Sequence, residues 1–465
     1  MFSVILGAPV PPFTSSAVSD SADSPDSPDS SGSSGPGLWR DRDFRRLWLG
    51  QTASQLGEHL SLVLLPLLAV LTLHAGPGEL GVLRAVGQAP ILLFALLVGA
   101  WVDRWRTRTV MVLADAGRAL ALGGLAVACT LGEVGLPVLL VVAFAVGTLS
   151  VFFDVAYQSS LVRLVARDQL VRGNSALEGS RSAAQVGGPA LGGALVSVVA
   201  APWGIACGAV FFAVSFVSIR GIRRDEAPPG ESVPQESLAE ESLPAGFPPG
   251  RAERRSRIGW RVFEGLRFVA RDAALRTVGL ASAAFQFSFA ALMTVYLLFL
   301  PRELHLSGTA VGLALAAVGP GALAGSLLAA RLPRRFGHGP VLVAAAALGD
   351  GVLLCVPALH GPAPVTVPVL LAANFVFGAF GQLVNVTVMA VRQALTPDGM
   401  QGRVTATITF VGMGLTPLGS LLGGWLAETY GLRVGLLAAA CGMLLSPVLM
   451  ALSPLARLGR TLSGG

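Results

Sequence analysis

The sequence predicts an all-α membrane protein of twelve transmembrane helices in two six-helix bundles, and three observations predict it. Hydrophobic residues make up 53% of the 465-residue chain, charged residues only 13%, and the mean hydropathy is +0.68, which leaves too little polar surface for a soluble domain of this size. Apolar stretches of about 20 residues, enough helix to cross a hydrocarbon core of about 30 Å, recur from Leu47 to Leu452. A shift of 230 residues lays the first half of these stretches on the second.

Spans are expected at 47–72, 80–102, 108–130, 136–164, 174–199 and 203–221, then at 275–299, 309–331, 339–358, 365–393, 403–428 and 432–452. Helix is the assignment because a lone span must satisfy its backbone hydrogen bonds internally, and the dyad alternation of a membrane barrel is absent. Under the shift, Asp103-Arg104 falls on Pro333-Arg334 after the second span of each half, and Asp168 falls on Asp398 before the fifth. Pro189 with Gly192-Gly193 also has a counterpart in Pro417 with Gly423-Gly424, at offsets of 228 and 231. Parallel repeats of this kind enclose a central site near the bilayer midplane.

The chain divides accordingly. Residues 1–37, rich in Ser, Asp, Pro and Gly and without the basic start of a signal peptide, read as a disordered cytoplasmic tail. An N-terminal bundle at 40–221 and a C-terminal bundle at 275–453 flank a cytoplasmic linker at 222–274, and 454–465 form a second tail. Within the linker, Arg254 to Arg276 mixes Trp260, Phe263, Leu266 and Phe268 with Arg, the pattern of an amphipathic helix lying on the membrane surface.

All 33 basic residues are Arg, and 28 of them lie on the N-terminal side, on the connections after even-numbered spans, or at the C-terminus. Arg84, Arg302 and Arg433 are assigned on or near the opposite side, and Arg118 and Arg181 to span interiors. The positive-inside rule then puts both termini in the cytoplasm of a multi-pass protein of the cell membrane. Arginines scattered over short membrane-edge loops suit lipid headgroups and exclude a nucleic-acid partner. Cys129, Cys207, Cys355 and Cys441 lie in spans without metal-ligand spacing and read as packing residues, so no metal is expected. No hydrolase, zinc-protease, redox or P-loop pattern occurs, so neither an enzyme nor a cofactor is expected.

Two motifs carry a family resemblance. Gly99-Ala-Trp-Val-Asp103-Arg104-Trp-Arg106-Thr-Arg108, after span 2, resembles the loop motif of the major facilitator superfamily. In span 5, Ala184-x-x-x-Gly188-Pro189-x-x-Gly192-Gly193 is similar to that superfamily's antiporter motif, with Ala184 in place of its first glycine. The segment from Phe152 to Gly193 and Glu264 to Arg276 look like the branch that includes macrolide efflux and enterobactin exporter proteins. The basic motif of span 4 found in many drug/proton antiporters is missing.

The resemblance implies that Asp103 caps the start of span 11, near Gly402 and Arg403, in the outward-open state, with Arg104 and Arg108 pairing nearby acids. The same residues also suffice as a plain topology determinant. In span 5 the Gly-Pro pair removes a backbone donor and the glycines permit close helix approach, which serves either a functional bend or generic packing.

Ionisable residues inside spans are costly and mark function or pairing. Glu58, eleven residues after Leu47, is the candidate proton-coupling carboxyl, against a substrate-orienting or simply hydrogen-bonded role. His59 is about 100° round the helix and reads as packing. Asp115 with Arg118, and Glu178 with Arg181, are each three apart and share a face, and with Asp154 are expected to form a buried charge network. The second half is expected to offer neutral polar groups instead, Gln286, Asn374, Gln382 and Asn385, with Phe285, Phe289, Phe377 and Phe380 as aromatic contacts to a substrate or as packing.

The expected function is proton-driven, alternating-access export of an amphiphilic small molecule, such as an antibiotic, drug or siderophore-like metabolite, by a monomer in a lipid bilayer. Nutrient uptake, facilitated diffusion and a non-transporting receptor are the alternatives.

Overall fold

The computed structural model describes residues 38–102, 105–164, 170–198, 201–222, 266–397 and 400–459, and every element in them is helical. The first six long helices are α1 (Arg42–Leu71), α2 (Pro77–Val102), α3 (Thr107–Leu131), α4 (Leu136–Leu164), α5 (Leu170–Val198) and α6 (Ala201–Arg220). The remainder are α7 (Ala273–Arg302), α8 (Gly308–Ala316 and Val318–Ala329), α9 (His338–Val352, continued by the 3-10 turn Leu353–Ala358), α10 (Ala363–Leu395), α11 (Gln401–Gly414 and Thr416–Tyr430) and α12 (Leu432–Met443 and Leu445–Ala451). Among the described residues ten helices are long and apolar enough to cross a membrane. α2 and α5 are not among those ten, and α5 carries Arg172, Glu178 and Arg181. The N-terminal tail and the linker over 223–265 lie outside the described residues. Of the expected amphipathic helix only its end is described, as a short helix over 266–271.

Local chemistry explains where the helices start and break. Asp41 caps α1 by accepting from the Asp43 N–H at 2.8 Å, and Asp272 caps α7 by accepting from the Leu275 N–H at 2.8 Å. The interruptions at Ala317, Leu353, Leu415 and Leu444 each lie two to four residues ahead of a proline, Pro320, Pro357, Pro417 and Pro447, where the ring removes a donor and crowds the preceding turn.

The repeat is visible in the backbone. Five pairs of helix starts are separated by 231 residues: Arg42 and Ala273, Pro77 and Gly308, Thr107 and His338, Leu170 and Gln401, Ala201 and Leu432. Leu136 and Ala363 are 227 apart. The two non-glycine residues with positive φ, His74 at 53° and His305 at 52°, are also 231 apart. Packing repeats as well. α1 packs on α5 and α6 as α7 packs on α11 and α12, and α4 packs on α2 and α3 as α10 packs on α8 and α9. α2 crosses α11, and α5 crosses α8, which are reciprocal under the same shift. α1 and α7 form the centre, with 72% and 67% of their apolar windows buried against 33–50% elsewhere.

At the distal end, where α1 finishes and α2 starts, the crossings are glycine on glycine. A Cβ on Gly312 of α8 would lie 2.6 Å from the Gly193 Cα of α5, and one on Gly424 of α11 would lie 2.9 Å from the Gly81 Cα of α2. Neither crossing admits a side chain. The Gly78 N–H at the start of α2 donates to Glu428 Oε2 of α11 at 3.0 Å, and Arg302 Nη2 of α7 donates to the Ala75 carbonyl at 2.6 Å. A carboxylate thus caps a helix start across the crossing, a favourable charge–dipole pairing.

Candidate functional site

Arg118 organises the first half. It projects from α3, fully buried, between the rings of Phe153 on α4 and Phe212 on α6, 4.5 and 4.4 Å from its guanidinium carbon. Its Nη2 donates to Asp115 Oδ1 at 2.5 Å and to Ser54 Oγ of α1 at 2.9 Å, while Nη1 donates to Ser150 Oγ of α4 at 3.2 Å. Asp115, equally buried, also accepts from the Ser54 hydroxyl at 3.2 Å and the Ser215 hydroxyl of α6 at 2.5 Å. One ion pair therefore staples four helices, and its i,i+3 spacing is the part expected from sequence.

Glu58 on α1 sits at the edge of this cluster. Its Oε2 is 4.0 Å from Arg118 Nη1 and accepts no hydrogen bond, while the side chain keeps 23% of its surface. That surface faces a cavity of about 430 Å³ between α1, α2 and α4 on one side and α7 and α11 on the other. Asp154, Arg84, Gln88, Gln286 and Phe289 share its walls. A carboxyl so placed has two alternative partners, the guanidinium behind it and a proton or ligand in front.

Several expectations are corrected. Glu178 and Arg181, expected in the buried network, are both exposed. Arg84, given no site role in the sequence, lines the cavity from the second turn of α2, with its Nε lacking a partner. The second half does contain a mid-span acid, Asp350 on α9, and it is 5% exposed. Asn374, expected in a substrate cavity, is 2% exposed and donates to Tyr296 Oη at 2.7 Å and to the Leu370 carbonyl at 2.9 Å. It fastens α10 to α7. Asn374→Leu is expected to destabilise the protein by about 1–3 kcal/mol, since the Tyr296 hydroxyl loses its partner in the core; thermal unfolding of purified protein measures this, and an unchanged midpoint would refute the fastening role. Gln382 is half-buried and lines neither cavity described here, whereas Gln286 and Asn385 do line one. Cys355 and Cys441 are exposed rather than packed.

The span 5 motif acts by contact. Gly188 faces the His59 Cβ, Gly192 faces Leu60 and Val63 at 3.4 Å, and Gly193 faces α8, so one glycine row seats α5 against both α1 and the second half. Ala184 is buried, and Pro189, half-buried, turns its carbonyl toward Gly312. His59 accordingly packs on α5. In the loop motif Gly99 belongs to α2, whereas Asp103 and Arg104 lie outside the described residues. Arg108 donates to the Arg220 carbonyl, and Arg46 of α1 to the Gly221 carbonyl, so two cations cap the C-terminal end of α6.

Residues 34–461 match the transmembrane secretion effector family of major facilitator (MFS) transporters. The chain belongs to that family. This MFS transporter is therefore a multi-pass membrane protein and not an enzyme. It is 28% identical over 403 residues to the multidrug efflux pump Tap of Mycobacterium tuberculosis (strain H37Rv), covering 83% of this chain and 87% of the relative. The Tap pump of Mycolicibacterium fortuitum is 26% identical over 413 residues, 86% and 92% of the two chains. Among solved structures, a bacterial homologue of the iron transporter ferroportin in an inward-facing state superposes with a TM-score of 0.67 at 17% identity, over 89% of this chain and 98% of that one. A bacterial homologue of the human lysosomal transporter Spinster, inward-facing and unoccupied, gives 0.66 at 14% identity, over 93% and 100%. Both likenesses are of fold.

Proposed function

We propose that this MFS transporter exports an amphiphilic small molecule by proton antiport with alternating access, as a monomer of twelve spans in two six-helix bundles, with both termini on the cytoplasmic side of the cell membrane. The observation that carries the reading is Glu58, a cavity-lining carboxyl 4.0 Å from a buried guanidinium. Deprotonated, it is drawn to Arg118; protonated, it is released from that attraction, so its charge is tied to the arrangement of α1 and α3 around the cavity. The likeness to the Tap pumps supports efflux as the direction. Glycine crossings and the Glu428 cap at the distal end suit a state closed to the outside, and the resemblance of the loop motif supplies a matching latch, Asp103 on the start of α11, for the other state. Asp154 and Arg84 complete the polar wall of the cavity, and Gln286 and Asn385 face the cargo from the second half.

Glu58→Gln keeps the shape and removes the titrating group. In inverted vesicles it is expected to abolish gradient-driven accumulation of a transported dye while equilibrium dye binding persists. Wild-type accumulation in the variant, or wild-type accumulation that survives collapse of the proton gradient, would remove Glu58 from the mechanism.

A further inference from the structure

A second cavity, of about 310 Å³, lies between α7, α9, α10, α11 and α12 and shares Gln286 and Met413 with the first. Asp350 stands in its wall, 95% buried, and among the described residues its carboxylate makes no hydrogen bond and no ion pair. Every other fully buried acid of the described spans differs: Asp115 has three partners, while Asp350 has none. An uncompensated carboxylate at this depth costs about 2.5–3.5 kcal/mol or more, so it stays charged only beside a counter-charge, which the fold does not supply. Arg392, the cation in the same wall, is seven residues beyond Asn385 on α10, about 10 Å along the helix, and it is not within ion-pair distance of Asp350.

The surroundings select the kind of cation. Hard metal ions are held tightly where several charged oxygens converge, and among the described residues this lining holds one carboxylate, beside the neutral Ser282, Gln286, Asn385, Thr409 and Ser446. Phe285, Ile408 and Met450 in the same wall suit a bulky organic cation, whose weakly hydrated charge sits readily near an aromatic ring. Phe285 is also the first ring of a near-parallel stack, 5.6 Å from Phe289, which in turn lies 5.6 Å from Phe377; Phe289 lines the first cavity, so an aromatic surface runs from one cavity to the other.

We propose that Asp350 anchors a second substrate subsite, in the half opposite Glu58, that takes the ammonium group of a cationic amphiphile. The inference rests on the exporter reading and names its substrate class. In this reading Glu58, with Arg118 behind it, exchanges the proton, and Asp350 holds the cargo.

The test uses the purified full chain in lipid nanodiscs and two dansyl probes of equal size, one ending in trimethylammonium and one in neutral tert-butyl. Binding is read at equilibrium without a proton gradient, so its result is separate from whether Glu58 couples transport. The wild type is expected to prefer the charged probe about tenfold or more. Asp350→Asn is expected to erase that preference and leave the neutral probe's affinity within about twofold. Gly381 lines the same cavity with open space where a Cβ would go, so Gly381→Leu fills the subsite with Asp350 intact and is expected to weaken the charged probe about tenfold. Equal binding of the two probes by the wild type overturns the proposal, as does a preference that survives Asp350→Asn. If Asp350→Asn does not fold, undiminished charged-probe affinity in Gly381→Leu overturns it alone.

Discussion

Arg118→Met is expected to lower stability by about 3–5 kcal/mol, because it leaves the Asp115 carboxylate in the core with only the Ser54 and Ser215 hydroxyls. The loss should show as a large fall in the unfolding midpoint followed by the fluorescence of the chain's seven tryptophans. Removing both charges, in Asp115→Leu with Arg118→Met, is expected to recover most of it, since a buried pair replaced by apolar groups of similar volume is often neutral or better. A double variant as unstable as the single one would contradict the staple described for α1, α3, α4 and α6. Stability and coupling should separate here: the double variant regains its midpoint and still lacks the cation that draws on Glu58, so its gradient-driven transport stays lost.

The second large effect is conformational. Gly193→Leu places four carbons where the α8 backbone runs, and the Gly312 Cα has no slack to give. Overpacking of this kind costs about 1–3 kcal/mol when neighbours can move, and here the simplest relief is for α5 and α8 to part. A shift of about 5.5 kcal/mol carries a two-state equilibrium from 1:99 to 99:1, so even part of that penalty redistributes the states. Spin labels at Glu133 and Ala363, exposed positions at the distal end, should report a longer distance in Gly193→Leu than in the wild type. An unchanged distance distribution would mean that the crossing does not hold the distal end shut.

The parts of the fold that were legible in the sequence are those that bilayer length and duplication dictate. Starts expected at 80, 108 and 136 fall within three residues of α2, α3 and α4, and the shift of 230 becomes 231 in the backbone. The Asp115–Arg118 pair was legible because both partners sit on one helix. Ser54, Ser150, Ser215, Phe153 and Phe212 were not, since three other helices bring them in and nothing in their local spacing marks it. Glu178 and Arg181 show the limit of the same rule: three-residue spacing says that two side chains share a face, not that the face is buried. Asp350 has a signal as plain as that of Glu58, since both lie near the middle of a span, so the second half is not neutral in its spans.

The proline-led breaks give the molecule two mechanical characters. α1, α3 and α4 run unbroken and are cross-linked by a buried ion pair, whereas α8, α9, α11 and α12 are each jointed ahead of a proline. Two halves alike in layout therefore differ in compliance. One is a strut and the other a set of flexures, and motion that passes between them will bend the flexures before it deforms the strut.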